Sequence, residues 1–164
     1  MAQNIHRLPM EELIPLVKLQ LENGARAQLT VTGYSMMPML RNRRDRVELI
    51  PAGEQCHAGD VALYCRDNGQ YVLHRIVACT PNGYICCGDN QAMREPVRHD
   101  QILAVVDAFV RKGKRCEVTD LGYRMYTAIW VKLFFLRRPY IGIRRCLGRL
   151  WSKIRKNRRN KREE

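Results

Sequence analysis

The chain has 164 residues, 29 of them basic and 16 acidic, for a formal net charge of +13. That length suits one domain of ordinary size with some chain to spare, and a composition 46% hydrophobic and 27% charged excludes wholesale disorder. The most apolar window, Thr127 to Leu136, is ten residues long and contains Lys132, which is too short for a membrane span of roughly twenty apolar residues.

In chain order, Pro9 to Asn23 reads as a helix. Pro9 suits a first turn, Glu11 and Glu12 favour the positive helix end, and Asn23-Gly24 is a stop signal. Pro15 is expected to bend this helix or to delay its start. Short runs rich in β-branched and aromatic residues follow: Gln28–Thr32, Arg46–Ile50, Asp60–Arg66, Gln70–Thr80, Gly83–Cys87 and Gln101–Arg111. Asp67-Asn68-Gly69 and Pro81-Asn82-Gly83 separate two pairs of these runs as hairpin signals. The expected fold is mainly β, a compact antiparallel domain, barrel-like in its strand spacing. From about Leu121 the pattern is helical again, broken at Pro139. At roughly 100° per residue, Ile143, Leu147, Leu150 and Ile154 fall on one side, and Arg145, Arg149, Lys153 and Lys156 on the other. This is a basic amphipathic helix with Trp151 on its flank. The end of the chain, Arg155 to Glu164, has no apolar face and reads as disordered. The resulting division is an N-terminal helix over 1–27, a β domain over 28–115 and a basic helical tail over 116–164.

The net charge divides unevenly along the chain. Residues 1–110 hold 11 basic and 12 acidic side chains, a net −1, whereas residues 111–164 hold 18 basic and 4 acidic, a net +14. Attraction to anions is therefore assigned to the tail. Its contact residues would be Arg145, Arg149, Lys153 and Trp151 against an anionic membrane surface. Nucleic acid is disfavoured as a partner, because a single short helix before Leu29 leaves no room for a helix-turn-helix. Seven cysteines include no Cys-x-x-Cys pair, so neither a metal nor any other cofactor is expected, and the thiols read as small buried hydrophobes in a reducing compartment. The opening MAQNIHRLPMEEL lacks the basic-then-apolar run of a secretion signal. The expected location is cytoplasmic, with the tail peripheral on the inner face of the membrane.

Three stretches carry side chains suited to chemistry: Gly33-Tyr34-Ser35-Met36-Met37-Pro38, Leu73-His74-Arg75-Ile76-Val77 and Gly88-Asp89-Asn90. A serine just after a strand, between Gly and Pro, is a candidate exposed nucleophile, and it needs a base within hydrogen-bond reach. His74 suits that role because its ordinary pKa lies near neutrality. Taken alone, a turn serine and a strand histidine are better explained by structural roles than by catalysis.

With Gly59-Asp60-Val61 added, these pieces in this order resemble the signal peptidase I and LexA-like serine peptidase superfamily, over roughly Leu29 to Val110. The resemblance implies a LexA/signal-peptidase-like β domain and a serine endopeptidase acting on a dedicated protein or peptide. Ser35 matches the nucleophile, and its backbone N–H matches one oxyanion donor. His74 stands where many members carry a general-base lysine; endoplasmic-reticulum, archaeal and sporulation-type signal peptidases have His followed by Arg there, as here. Members of that branch also use an acid about six residues beyond the Asp of Gly-Asp-Asn, and Glu95 stands there in place of the usual Asp. Asp89 is the runner-up for orienting His74, and it could instead hold the serine loop. Two departures stand out: Gly33 replaces a hydroxyl residue common two positions before the nucleophile, and no spanning anchor is evident. Met36 and Met37 read as wall or core, and His57 and His99 as surface residues. A non-catalytic LexA-like protein that binds nucleic acid or a membrane through its tail is the alternative.

Overall fold

The computed structural model describes residues 9–53, 55–132 and 139. Helix α1, Met10–Glu22, runs through Pro15, with Pro9 as its cap and Asn23 closing its end. Eight strands follow: β1 Ala27–Thr30, β2 Arg46–Pro51, β3 Val61–Cys65, β4 Tyr71–Thr80, β5 Gly83–Cys87, β6 Glu95–Arg98, β7 Ile102–Arg111 and β8 Lys114–Glu117. Helix α2, Leu121–Lys132, comes last.

All strand pairs are antiparallel, in the order β1-β2-β7-β3-β4-β5-β6, with β8 paired to β7 beside them. The fold is thus mainly β with a helix at each end, as the sequence pattern implies. β8 carries the sheet past residue 115, where the β domain was expected to end.

The apolar side chains form two cores because β3 is buried on both of its faces. Successive side chains alternate between faces, so Val61 and Leu63 join Ile14, Val17 and Leu21 of α1 with Leu29, Val47, Leu49 and Val106 in one cluster. Ala62 and Tyr64 join Ile76, Tyr84, Cys86 and Val97 in the other. Of the cysteines, Cys56, Cys86 and Cys87 are buried as small hydrophobes, but Cys79 is exposed. No helix among the described residues is long and apolar enough to cross a membrane. The expected helix over Ile143–Ile154, with Arg145, Arg149, Trp151 and Lys153, lies outside the described residues, as does Cys146.

Candidate active site

The loop after β1 is anchored at both ends. Val31 donates its N–H to the Asp45 carbonyl at 2.9 Å and accepts one from Arg43 at 2.7 Å, while the Gly33 N–H donates to Asn42 Oδ1 at 3.1 Å. Gly33 has φ +83°, a conformation that glycine adopts without steric cost. Met36, Met39 and Leu40 are buried and pin the loop from below, which leaves Ser35 half-buried.

Gly88-Asp89-Asn90 grips this loop through its backbone. The Asn90 N–H donates to the Ser35 carbonyl at 2.6 Å, and Asn90 Nδ2 donates to the Tyr34 carbonyl at 3.1 Å. A Cβ at position 88 would lie 2.8 Å from the Ser35 carbonyl oxygen and 3.0 Å from its Cβ, so only glycine lets the two segments approach this closely.

His74 sits on β4 opposite Ala62 of β3, with 2% of its surface exposed. Its Nδ1 lies 2.9 Å from Glu95 Oε1 and 3.0 Å from the Tyr64 hydroxyl. Tyr64 donates to the same Glu95 oxygen. Arg66 closes the cluster with Nε 2.7 Å from Oε2 and Nη2 2.8 Å from Oε1. An ionised carboxylate facing Nδ1 requires the proton on that nitrogen, which leaves the lone pair on Nε2.

Burial alone would raise the Glu95 pKa, but hydrogen bonds from Arg66, Tyr64 and His74 outweigh it and bring the carboxyl down to about 2. Burial lowers the pKa of His74, and Glu95 only partly opposes it, so the imidazole is neutral at pH 7. Burial and the neighbouring Glu95 raise the Tyr64 phenol, which therefore stays a donor.

Asp89 does not hydrogen-bond His74. Its two oxygens accept from Arg75 Nε and Nη2, each at 2.8 Å, and Oδ2 also accepts from the Tyr126 hydroxyl at 3.0 Å. Arg75 and Asp89 are fully buried. His74 and Arg75 are successive residues of one strand, so they point to opposite faces. One strand thus serves two carboxylates, with Glu95 on the histidine and Asp89 on the arginine.

Ser35 and His74 line one cavity of about 310 Å³. They do not hydrogen-bond each other in this structure, and the Ser35 N–H has no acceptor among the described residues. The cavity is also lined by Leu29–Gly33 and by Gln70–Leu73. β1 pairs only with β2, and Tyr71–His74 of β4 pair only with β3, since β5 joins from Arg75 onward. Among the described residues, the cavity therefore lies along two open strand edges.

Of the residues expected at the site, Ser35 and His74 line one cavity, Glu95 reaches it through its contact with His74, and Asp89 binds Arg75 instead. Met36 is buried in the cavity wall, and His57 and His99 are exposed, His99 with its ring against Tyr84. Sequence reasoning missed Tyr64, Arg66 and Gln91. The first two sit two apart at the end of β3, and that spacing next to a histidine-bearing strand was the available signal. Gln91, a cavity-lining residue just after Asn90, carried none. No family model matches this chain, and no curated protein or solved structure matches it.

Proposed function

We propose that the protein is a serine endopeptidase of the signal peptidase and LexA-like type, which processes a dedicated protein or peptide. Ser35 is the nucleophile, His74 the general base and Glu95 the acid that orients it. The observation that carries this reading is that Ser35 and His74 line one cavity while Glu95 holds Nδ1 of the imidazole, leaving Nε2 as the free base.

The chemistry follows from those positions. His74 Nε2 takes the hydroxyl proton as Ser35 Oγ bonds to the scissile carbonyl carbon, and the carbonyl electron pair moves onto oxygen. The Ser35 N–H donates to that oxyanion. The C–N bond then breaks as the imidazolium gives its proton to the leaving amine. Water, deprotonated by the same nitrogen, releases the acyl group from Ser35. The imidazolium forms beside an ionised Glu95, whose charge stabilises it. Two open strand edges suit a substrate bound in extended form, because each edge can hydrogen-bond a peptide backbone.

Labelling with a fluorophosphonate probe tests the assignment. Wild-type protein is expected to label at Ser35, with loss of labelling in Ser35→Ala and strong slowing in His74→Gln. Equal labelling of wild type and Ser35→Ala would overturn it.

A further inference from the structure

Helix α2 has two apolar faces, and among the described residues only one of them is covered. Tyr123, Tyr126 and Thr127 turn inward. Arg75 Nη1 donates to the Tyr123 hydroxyl at 3.1 Å and to Thr127 Oγ1 at 3.2 Å, while the Tyr126 hydroxyl donates to Asp89. Tyr123 packs on Phe109 with ring centroids 5.3 Å apart, and Trp130 stacks on Tyr126 at 5.4 Å. On the opposite side Leu121, Met125 and Ile129 are 73%, 57% and 53% exposed. Their spacing of four aligns them in one stripe, with Arg124 and Lys132 exposed beside it.

We propose that this outward face of α2 docks on an anionic lipid surface and holds the Ser35 cavity at the membrane. The docking half stands on the stripe itself; the placement of a catalytic cavity rests on the peptidase reading above. Charge selects the occupant. Residues 133–164, which follow α2 directly, contain 12 basic and 2 acidic side chains. The folded part adds its own positive charge at one end of the sheet. Arg41, Arg43, Arg46, Arg111, Lys112 and Lys114 are all exposed, and among the described residues none of their side-chain cations pairs with a carboxylate, although the Arg41 backbone N–H donates to Asp45. A bilayer of anionic headgroups takes up both an apolar stripe and an excess of cations. A second copy of this chain would bring another +13 against the first. A nucleic acid would match the charge and leave the stripe bare.

The inner face makes the docking consequential. α2 is fixed to Arg75, the residue after His74, and to Asp89, the residue before the Asn90 that grips the Ser35 loop. A membrane under the stripe would therefore meet the catalytic cavity at a set orientation. The substrates that fit such an arrangement are chain segments presented at the lipid surface.

Co-sedimentation of the full chain with unilamellar vesicles tests this, using phosphatidylcholine alone or with about a third phosphatidylglycerol. Wild type is expected to pellet with the anionic vesicles only. Leu121→Ser/Met125→Ser/Ile129→Ser should lower that partitioning at least tenfold with its whole tail intact. The single change Met125→Asp should lower it severalfold and provides the test if the triple variant does not fold. Failure of wild type to bind anionic vesicles would overturn the proposal, as would undiminished binding by Met125→Asp. So would a wild-type dimer, without lipid, that the stripe substitutions dissolve, or DNA binding lost with the stripe. Vesicle binding is read without activity, so it stands or falls separately from labelling at Ser35.

Discussion

Replacing Glu95 by Gln removes the charge that faces His74 while keeping the side chain's shape. A carboxyl lowered from 4.5 to about 2 in the folded state corresponds to about 3 kcal/mol of stability at neutral pH. Because the folded-state value is the lower one, this stability is present above the unfolded value of 4.5 and is lost as pH falls toward 2. Between pH 5 and pH 3, about 2 kcal/mol of it should disappear from wild type and none from the variant. Asp45, Glu48 and Glu117 are also lowered and lose stability over this window in both proteins. Urea denaturation at the two pH values therefore reads the Glu95 share as a midpoint drop about 1 M larger in wild type than in Glu95→Gln. The same variant should lower turnover roughly 10²–10⁴-fold, since the imidazole loses both its fixed tautomer and its counter-charge. Equal acid sensitivity in the two proteins would refute the assignment of Glu95 as the ionised partner of His74.

Asp89→Ala should destabilise the fold by about 3–5 kcal/mol, because it leaves the Arg75 guanidinium buried without a counter-charge; the double change Arg75→Met/Asp89→Leu should cost less in the same thermal melts. Gly88→Ala places a methyl against the Ser35 backbone, so probe labelling at Ser35 should slow at least tenfold while the far-ultraviolet circular dichroism is retained. The acid limb of activity should have its midpoint below 6.5, since burial favours neutral His74; a midpoint above 6.5 would contradict that environment. Tyr64→Phe should move that limb and cost about 1 kcal/mol of stability through the lost hydrogen bonds, as read by the pH profile and by urea titration.

The parts of the fold that were legible in the sequence are those where local chemistry and burial agree. α1 begins and ends at its Pro9 and Asn23 signals, and β5 occupies Gly83–Cys87 as expected. β6 and β8 escaped for physical reasons. β6 is an edge strand of four residues containing Pro96, which a propensity reading treats as loop. β8, with the sequence Lys-Arg-Cys-Glu, has no apolar alternation and is held by its register with β7 and by Arg115 on Glu48. At the site, the order of motifs located Ser35 and His74. The choice between Glu95 and Asp89 was not legible, because it depends on which face of β4 each carboxylate reaches. That face was decided by the pairings of β4 with β5 and of β5 with β6, which bring Glu95 opposite Cys86 on the histidine side. Tyr64 and Arg66 became visible only when β3 was placed beside β4.

The two open edges beside the cavity have a consequence for how the protein behaves in a tube. An unpaired edge is a template for any passing strand, and β1 has neither lysine nor proline to discourage one. The opening proposed for a substrate backbone is equally open, at high concentration, to the backbone of a neighbour. Slow loss of soluble protein on storage is then expected to begin at Ala27–Thr30. An extended peptide that fills the slot should slow that loss, even when it is never cut.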